Sequence, residues 1–383
     1  MTCTIIGKLA SDQLKKNDLA FSETENRIYG ELPLLDLSNL AYKASIKNVT
    51  YSLETPSGRL FLSRPDSFNE FETPINIVRV YKYIEPKQTL FSLQKSLELA
   101  KKMGFGQEYK KSGTLVTLQS GTRTLELDIV QGSVIIKNDN VKDLSFDKLK
   151  DFSGNPNNYS SEFLPNLISE SFLNANYENA WVNSEYISFD KEKNVFYKES
   201  SPLRAEFLRM SFQKKFLLNT IEAKSTDSEA KKNLASTKQY LSKVYNESPR
   251  FPNSMLISGT SIRLSDIYSF TSPNWYASTL VPSNIGKYKI FSIQEAWQKI
   301  QNNEGILVDL KRASRTDDYD LKNANEKITK MYIKKIELGY YESEKFQEYL
   351  QPIYVFVGAA VLENEDGNSE QAEFTIYLPA IKR

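Results

Sequence analysis

The sequence predicts an α+β fold, built as tandem modules of one helix packed on an antiparallel sheet. Three observations predict it. Amphipathic helical stretches each precede a run of short alternating segments, and this succession recurs along the chain. Aromatic residues make up 12% of the 383 residues, with 22 Tyr and 21 Phe, side chains that suit a half-buried pleated surface. Apolar residues at 40% and charged residues at 25% are ordinary for a globular chain long enough for two or three cores.

Residues 1–45 read as a leader or linker, with Leu32-Pro-Leu-Leu35 as its apolar knot. Residues 46–150 read as the first module. Val49–Leu53 alternates with period two and ends at the turn Thr55-Pro-Ser-Gly58, and Ile77–Tyr81 is the next strand. Ser92 is an N-cap for a helix whose Leu93, Leu97 and Ala100 share a face and which stops at Gly104-Phe105. Strands are expected at Thr114–Leu118, Thr124–Ile129 and Ser133–Ile136.

Residues 151–285 read as the second module. Leu164, Leu167, Ile168 and Phe172 form its helical stripe. Strands follow at Trp181–Phe189, Val195–Tyr197, Ala205–Phe216, Met255–Ser258 and Ser261–Ile267. Leu234, Leu241 and Tyr245 are spaced for a helix, so residues 226–245 are expected to be a helical insertion.

Residues 286–383 read as the third module. Ser292-Ile-Gln-Glu295 is a capping box, and Ile293, Ala296, Trp297 and Ile300 make the apolar face behind it. Ile306–Val308 opens a strand. Ile328–Tyr341 changes apolar phase at Lys334-Lys335, the mark of a bulge. Ile353–Val361 is apolar on both faces, as in a central strand, and Glu365-Asp-Gly-Asn368 turns back into Phe374–Leu378.

The chemistry is bounded by what the chain lacks. It has no histidine, which excludes Ser-His-Asp and Cys-His catalysis and HExxH zinc sites. Cys3 is alone, so no intramolecular disulfide forms. There is no glycine-rich phosphate loop. Basic and acidic residues balance at 49 and 48 and are interspersed, which points away from nucleic acid. Ser92-Leu-Gln-Lys95 fits a Ser-x-x-Lys pattern, but the accompanying Ser-Asp-Asn and Lys-Thr-Gly elements are missing. Asp317, Asp318 and Asp320 lack EF-hand spacing and read as a solvated loop. No stretch reaches the roughly 18 apolar residues of a membrane span. Trp275 and Tyr276, in a proline-flanked loop, are candidates for binding a partner.

Ile336-Glu-Leu-Gly-Tyr-Tyr341, Leu350-Gln-Pro-Ile-Tyr-Val-Phe356 and Phe374–Ala380 together resemble the C-terminal region of the YycH/YycI family. Leu90–Ile136 resembles a PepSY domain, and from about Tyr51 the chain resembles membrane-anchored proteins of candidate-phylum (Patescibacteria-type) bacteria. The resemblance implies a PepSY/YycI-like fold and an extracytoplasmic regulator, anchored to the cell membrane by an N-terminal helix upstream of this chain. It implies a protein partner in the envelope, such as a sensor kinase, or a second copy of the chain. It brings no catalytic residue, cofactor or metal ligand with it. Tyr340 and Tyr341 join Trp275 and Tyr276 as candidate partner-binding residues. Two other readings stay open, a structural subunit of a surface assembly and a carboxylate-dependent glycan hydrolase, the latter needing two carboxylates facing each other across a cleft.

Overall fold

A computed structural model describes residues 29–44, 49–54, 60–61, 77–83, 93–130, 133–138, 148–149, 180–220, 239–249, 254–258, 267–272, 280–312, 321, 327–363 and 367–383. It overturns the expected fold class. The chain is β-rich and organised around two large sheets.

The first sheet is antiparallel throughout. It contains β4 (Tyr109–Ser112), β5 (Leu115–Ser120), β6 (Arg123–Asp128), β7 (Val134–Asn138), β8 (Ala180–Asp190), β9 (Val195–Glu199), β10 (Phe207–Thr220), β12 (Ser254–Ser258) and β13 (Ile267–Ser272). Pairing runs β4-β5-β6-β7-β13-β12-β10-β8-β9. The junction β7–β13, with Phe270 opposite Ile136, joins strands that the sequence reading had placed in separate modules.

The second sheet gathers the first and the last described strands. Its spine is the long hairpin of β16 (Lys327–Tyr341) and β17 (Tyr349–Glu363), followed by β18 (Ser369–Pro379) and β15 (Ile306–Arg312). On the outer side of β16 lie two parallel strands. β1 (Thr50–Glu54) pairs with its first half, Tyr51 opposite Met331, and β11 (Gln239–Tyr245) with its end, Val244 opposite Tyr340. The short β2 (Leu60–Phe61) extends β1, and a ribbon of β3 (Ile77–Tyr83) and β14 (Leu280–Lys289) meets the start of β17. β10 ties the two sheets together. Its first half pairs with β8 and β12, and Lys215–Thr220 pair with β11.

Two helices of nine residues or more occur among the described residues, α1 (Leu93–Lys102) and α2 (Ile293–Gln301). α1 packs on the first sheet, where Leu99, Ala100 and Met103 meet Val116, Leu118 and Leu125. Gly104 at φ 81° closes the helix, with the Phe105 amide donating to Ala100 O at 2.9 Å. α2 has the expected capping box and buries Ile293, Ala296, Trp297 and Ile300 on the second sheet. The expected register shift falls between Ile333 and Lys335.

The expected helical insertion at 226–245 fails where it is described, because residues 239–245 are the strand β11. The i, i+4 pair Leu241 and Tyr245 suggested a helix. The alternation of Ser242 and Val244 against Lys243 and Tyr245 is the pattern that is used, and pairing on both sides secures it. A modular reading fails for the same reason. One helix stripe covers only part of a sheet face, and the remaining apolar faces are buried by distant strands. The expected helix around Leu164–Phe172, the Ser92 cap and Asp317, Asp318 and Asp320 lie outside the described residues.

Candidate functional site

The two faces of the β16–β17–β18 sheet are used differently. Leu338, Tyr340, Tyr354, Phe356, Ile376 and Leu378 point toward α2. The intervening Tyr341, Ile353, Val355 and Tyr377 point the other way, where Tyr245 from β11 and Val308 from β15 join them. This outer face is built of aromatic rings. Tyr377 lies edge-on to Tyr245 and Tyr341, with ring centroids 5.9 Å and 6.1 Å away.

Each ring is fixed by a polar tip. The Tyr377 hydroxyl donates to Asn246 O at 3.1 Å and that of Tyr245 to Glu337 Oε2 at 2.7 Å. Burial pushes both hydroxyls far above the usual phenol range. Burial alone would also raise the Glu337 carboxyl. Hydrogen bonds from Lys335 and Tyr245 and the charges of Lys243 and Lys335 together outweigh it and hold the group below the usual carboxylate range. Burial raises Tyr341, helped by the negative charges of Glu247, Glu344 and Asp36.

An extended segment of the same chain lies on this face. Residues 29–44 contain one short 3-10 turn, Ser38–Leu40, and no strand, and they cross the sheet as a strap. Tyr29 seats its ring on Gly286, where an added Cβ would fall 2.8 Å from the ring, and packs at a tilt against Tyr349, ring centroids 5.0 Å apart. Leu32 enters a pocket of Val80 and Tyr288. Leu37 and Leu40 enter the tyrosine-lined face itself. Side chains of the sheet hold the strap backbone: Tyr288 Oη donates to Gly30 O at 3.1 Å and Gln351 Nε2 to Pro33 O at 3.1 Å. The Tyr42 amide donates to Leu307 O at 2.9 Å. Two carboxylates of the face stand under strap side chains at longer range, Glu247 Oε1 at 3.5 Å from Asn39 Nδ2 and Asp309 Oδ1 at 3.5 Å from Tyr42 Oη.

The loop between β16 and β17 forms the upper rim. Gln347 fastens it, its amide nitrogen donating to Tyr341 O and Tyr349 O at 2.7 Å and 3.0 Å and its oxygen accepting from the Ser343 amide at 2.8 Å. The held loop presents Phe346, 42% exposed, while Leu34 on the strap is 78% exposed.

Of the expected site residues, Tyr340 and Tyr341 lie under this rim and are buried. Tyr340 faces α2, meets Tyr81 edge-on with ring centroids 5.9 Å apart and donates to Arg79 O at 2.6 Å. Tyr341 forms the floor beneath the strap. Trp275 and Tyr276 lie outside the described residues. The sequence reading missed Tyr245, Tyr377, Leu37 and Leu40. The leucines at 32, 37 and 40 carried a signal, masked by Leu34 and Leu35 between them. Among the described residues no group of three or more His, Cys, Asp or Glu is placed to hold a metal ion, and no helix is long and apolar enough to cross a membrane.

Neither a family model nor a curated protein matches the chain. Among solved structures, the crystal structure of an uncharacterised protein from Eubacterium rectale is similar at 12% identity, covering 79% of this chain and 82% of that chain with a TM-score of 0.32. The YycH/YycI-like reading therefore rests on the motif residues alone.

Proposed function

We propose that the chain is a non-enzymatic, extracytoplasmic protein-binding module of the bacterial cell envelope, regulating its partner by holding an extended segment on the outer face of the long hairpin. The observation that carries the reading is the strap. This face already binds an extended polypeptide by leucine anchors and by side-chain hydrogen bonds to its backbone, the means by which grooves recognise peptides. The envelope location follows from the motif resemblance at Ile336–Tyr341 and Leu350–Phe356.

The test is capture from envelope fractions followed by reconstitution. An identified protein retained by the chain should bind again in pure form, through one extended segment, and lose binding when that segment is deleted. Retention that survives deletion of every extended segment, or release of sugars from peptidoglycan by the pure chain, would defeat the proposal.

A further inference from the structure

The first sheet ends in the edge strands β4 and β9, and the register of β4 fixes what it leaves open. The two-residue turn Gly113-Thr114, with Gly113 at φ 59°, joins β4 to β5 and makes Ser112 and Leu115 a hydrogen-bonded pair. Such pairs alternate along an antiparallel ladder, so Lys110 and Thr117 form the next one. Tyr109 and Lys111 therefore aim their N–H and C=O groups away from β5, and neither enters any other backbone hydrogen bond among the described residues. All four residues of β4 are exposed. Outward backbone groups at i and i+2 are what a further strand pairs with when it adds to a sheet.

The charge of this edge selects what adds to it. Residues 101–112 hold Lys101, Lys102, Lys110 and Lys111 against Glu108, an excess of three positive charges in a chain whose net charge is +1. α1 ends beside β5, where the Ser120 hydroxyl donates to Gly104 O at 3.0 Å, so Lys101 and Lys102 of its last turn stand next to the strand that β4 borders. At the opposite edge Lys198 of β9 is tied to Glu185 at 2.8 Å, whereas no ion pair engages Lys110 or Lys111 among the described residues. Like charges repel a second copy of the same edge, while an acidic segment gains a cross-strand ion pair at each lysine it faces. Tyr109 and Leu115, 41% and 37% exposed on opposite faces of the sheet, offer apolar contact beside the lysines.

We infer that β4 is a docking edge for an extended acidic segment of a partner protein, which adds as a strand beyond β4, bonds to the backbone of Tyr109 and Lys111 and places carboxylates opposite Lys110 and Lys111. The edge belongs to the first sheet and the long hairpin to the second, so each surface has its own test.

The probes are three fluorescein-labelled synthetic peptides, titrated with the full chain and read by anisotropy. One repeats Thr-Glu-Glu-Val twice, one repeats Thr-Lys-Lys-Val twice, and the third is the acidic peptide with its backbone amides N-methylated. Two cross-strand ion pairs make the acidic peptide bind about tenfold tighter than the basic one, an advantage that salt reduces. N-methylation removes the ladder donors and weakens binding roughly tenfold or more. Lys110→Glu with Lys111→Glu abolishes the preference for the acidic peptide. Lys111→Pro deletes an N–H that faces outward, where an edge strand tolerates proline, and that chain binds the acidic peptide more weakly than Lys111→Ala. Equal binding of the acidic and basic peptides overturns the acidic partner. Equal binding of the N-methylated peptide, or equal binding by the Lys111→Pro and Lys111→Ala chains, overturns strand addition. Tighter binding of oligothymidylate or of phosphatidylglycerol vesicles than of the acidic peptide marks a general polyanion patch and overturns the inference, as does absence of binding. Should Lys111→Pro fail to fold, the N-methylated peptide on the wild-type chain decides.

Discussion

Gly339 lies in the Leu-Gly-Tyr-Tyr stretch of β16, and the Tyr245 ring covers it. A Cβ at this position would fall 2.7 Å from Tyr245 Cε2, 2.8 Å from Cδ2 and 3.1 Å from Lys243 O. The ring has little freedom to retreat. It is 5% exposed, packs against Tyr377 at 5.9 Å and has its hydroxyl on Glu337 at 2.7 Å. Gly339→Ala therefore forces overpacking, which costs roughly 1–3 kcal/mol. It also disturbs a charge-assisted hydrogen bond worth roughly 1.5–3 kcal/mol. Replacing a strand glycine returns roughly 0.5–1 kcal/mol of chain entropy. The net expectation is a loss of about 1.5–5.5 kcal/mol, read by urea denaturation from the shift in midpoint at constant slope. The decisive comparison is a double-mutant cycle with Tyr245→Ala. That substitution is costly by itself, but it removes both ring contacts above Gly339. In that background only the contact with Lys243 O at 3.1 Å remains, so Gly339→Ala should cost about 1 kcal/mol or less, giving a coupling of about 1–5 kcal/mol. Equal cost in both backgrounds would refute the packing argument.

Alkali should unfold the protein. Burial pushes the Tyr51 phenol up to about 12 and drives Tyr245, Tyr340, Tyr354 and Tyr377 higher still. With folded values above the unfolded one of about 10, these groups contribute stability that is whole below that pH and lost as pH rises through the folded values. Tyrosinate absorbance at about 295 nm should therefore rise together with loss of circular dichroism for the buried set, and a single titration near the unfolded value of about 10 in the native protein would contradict this. On the acid side Glu337 sits below its usual range, so its contribution is present above the unfolded value and lost as pH falls through the folded one. Glu337→Gln should be less stable than wild type at neutral pH, with a gap that narrows between about pH 5 and pH 3. A gap independent of pH would assign the effect to packing alone. Ser292→Ala removes the acceptor for the Glu295 amide at 3.1 Å and should cost about 1 kcal/mol in urea unfolding. Gln347→Ala releases three hydrogen bonds of the β16–β17 loop and should speed amide exchange at Ser343 while leaving that of Val355 unchanged.

Local signals in the sequence were reliable where neighbours along the chain decide the structure. The capping box at Ser292 and Glu295, the glycine stop after α1 and the phase change at Lys334-Lys335 all depend on residues within a few positions of one another. The long strands of the last hundred residues also stood out, because β16, β17 and β18 are consecutive hairpins whose partners follow directly in sequence. β11 was misread because a seven-residue segment with apolar residues at both spacings is decided by its flanking strands.

By itself the sequence determined the hairpins, the two helix faces and the absence of imidazole chemistry, since each is a property of residue types or of contacts at short separation. The tertiary structure alone decided that β1, the first described strand, shares a sheet with β16, β17 and β18, that Tyr341 is a floor and not a surface, and that Leu37 and Leu40 cover it. The reason is physical. A pleated strand buries whichever face a partner covers, and here the partners lie far away in the chain, as Leu37 does from Tyr341 and Tyr377.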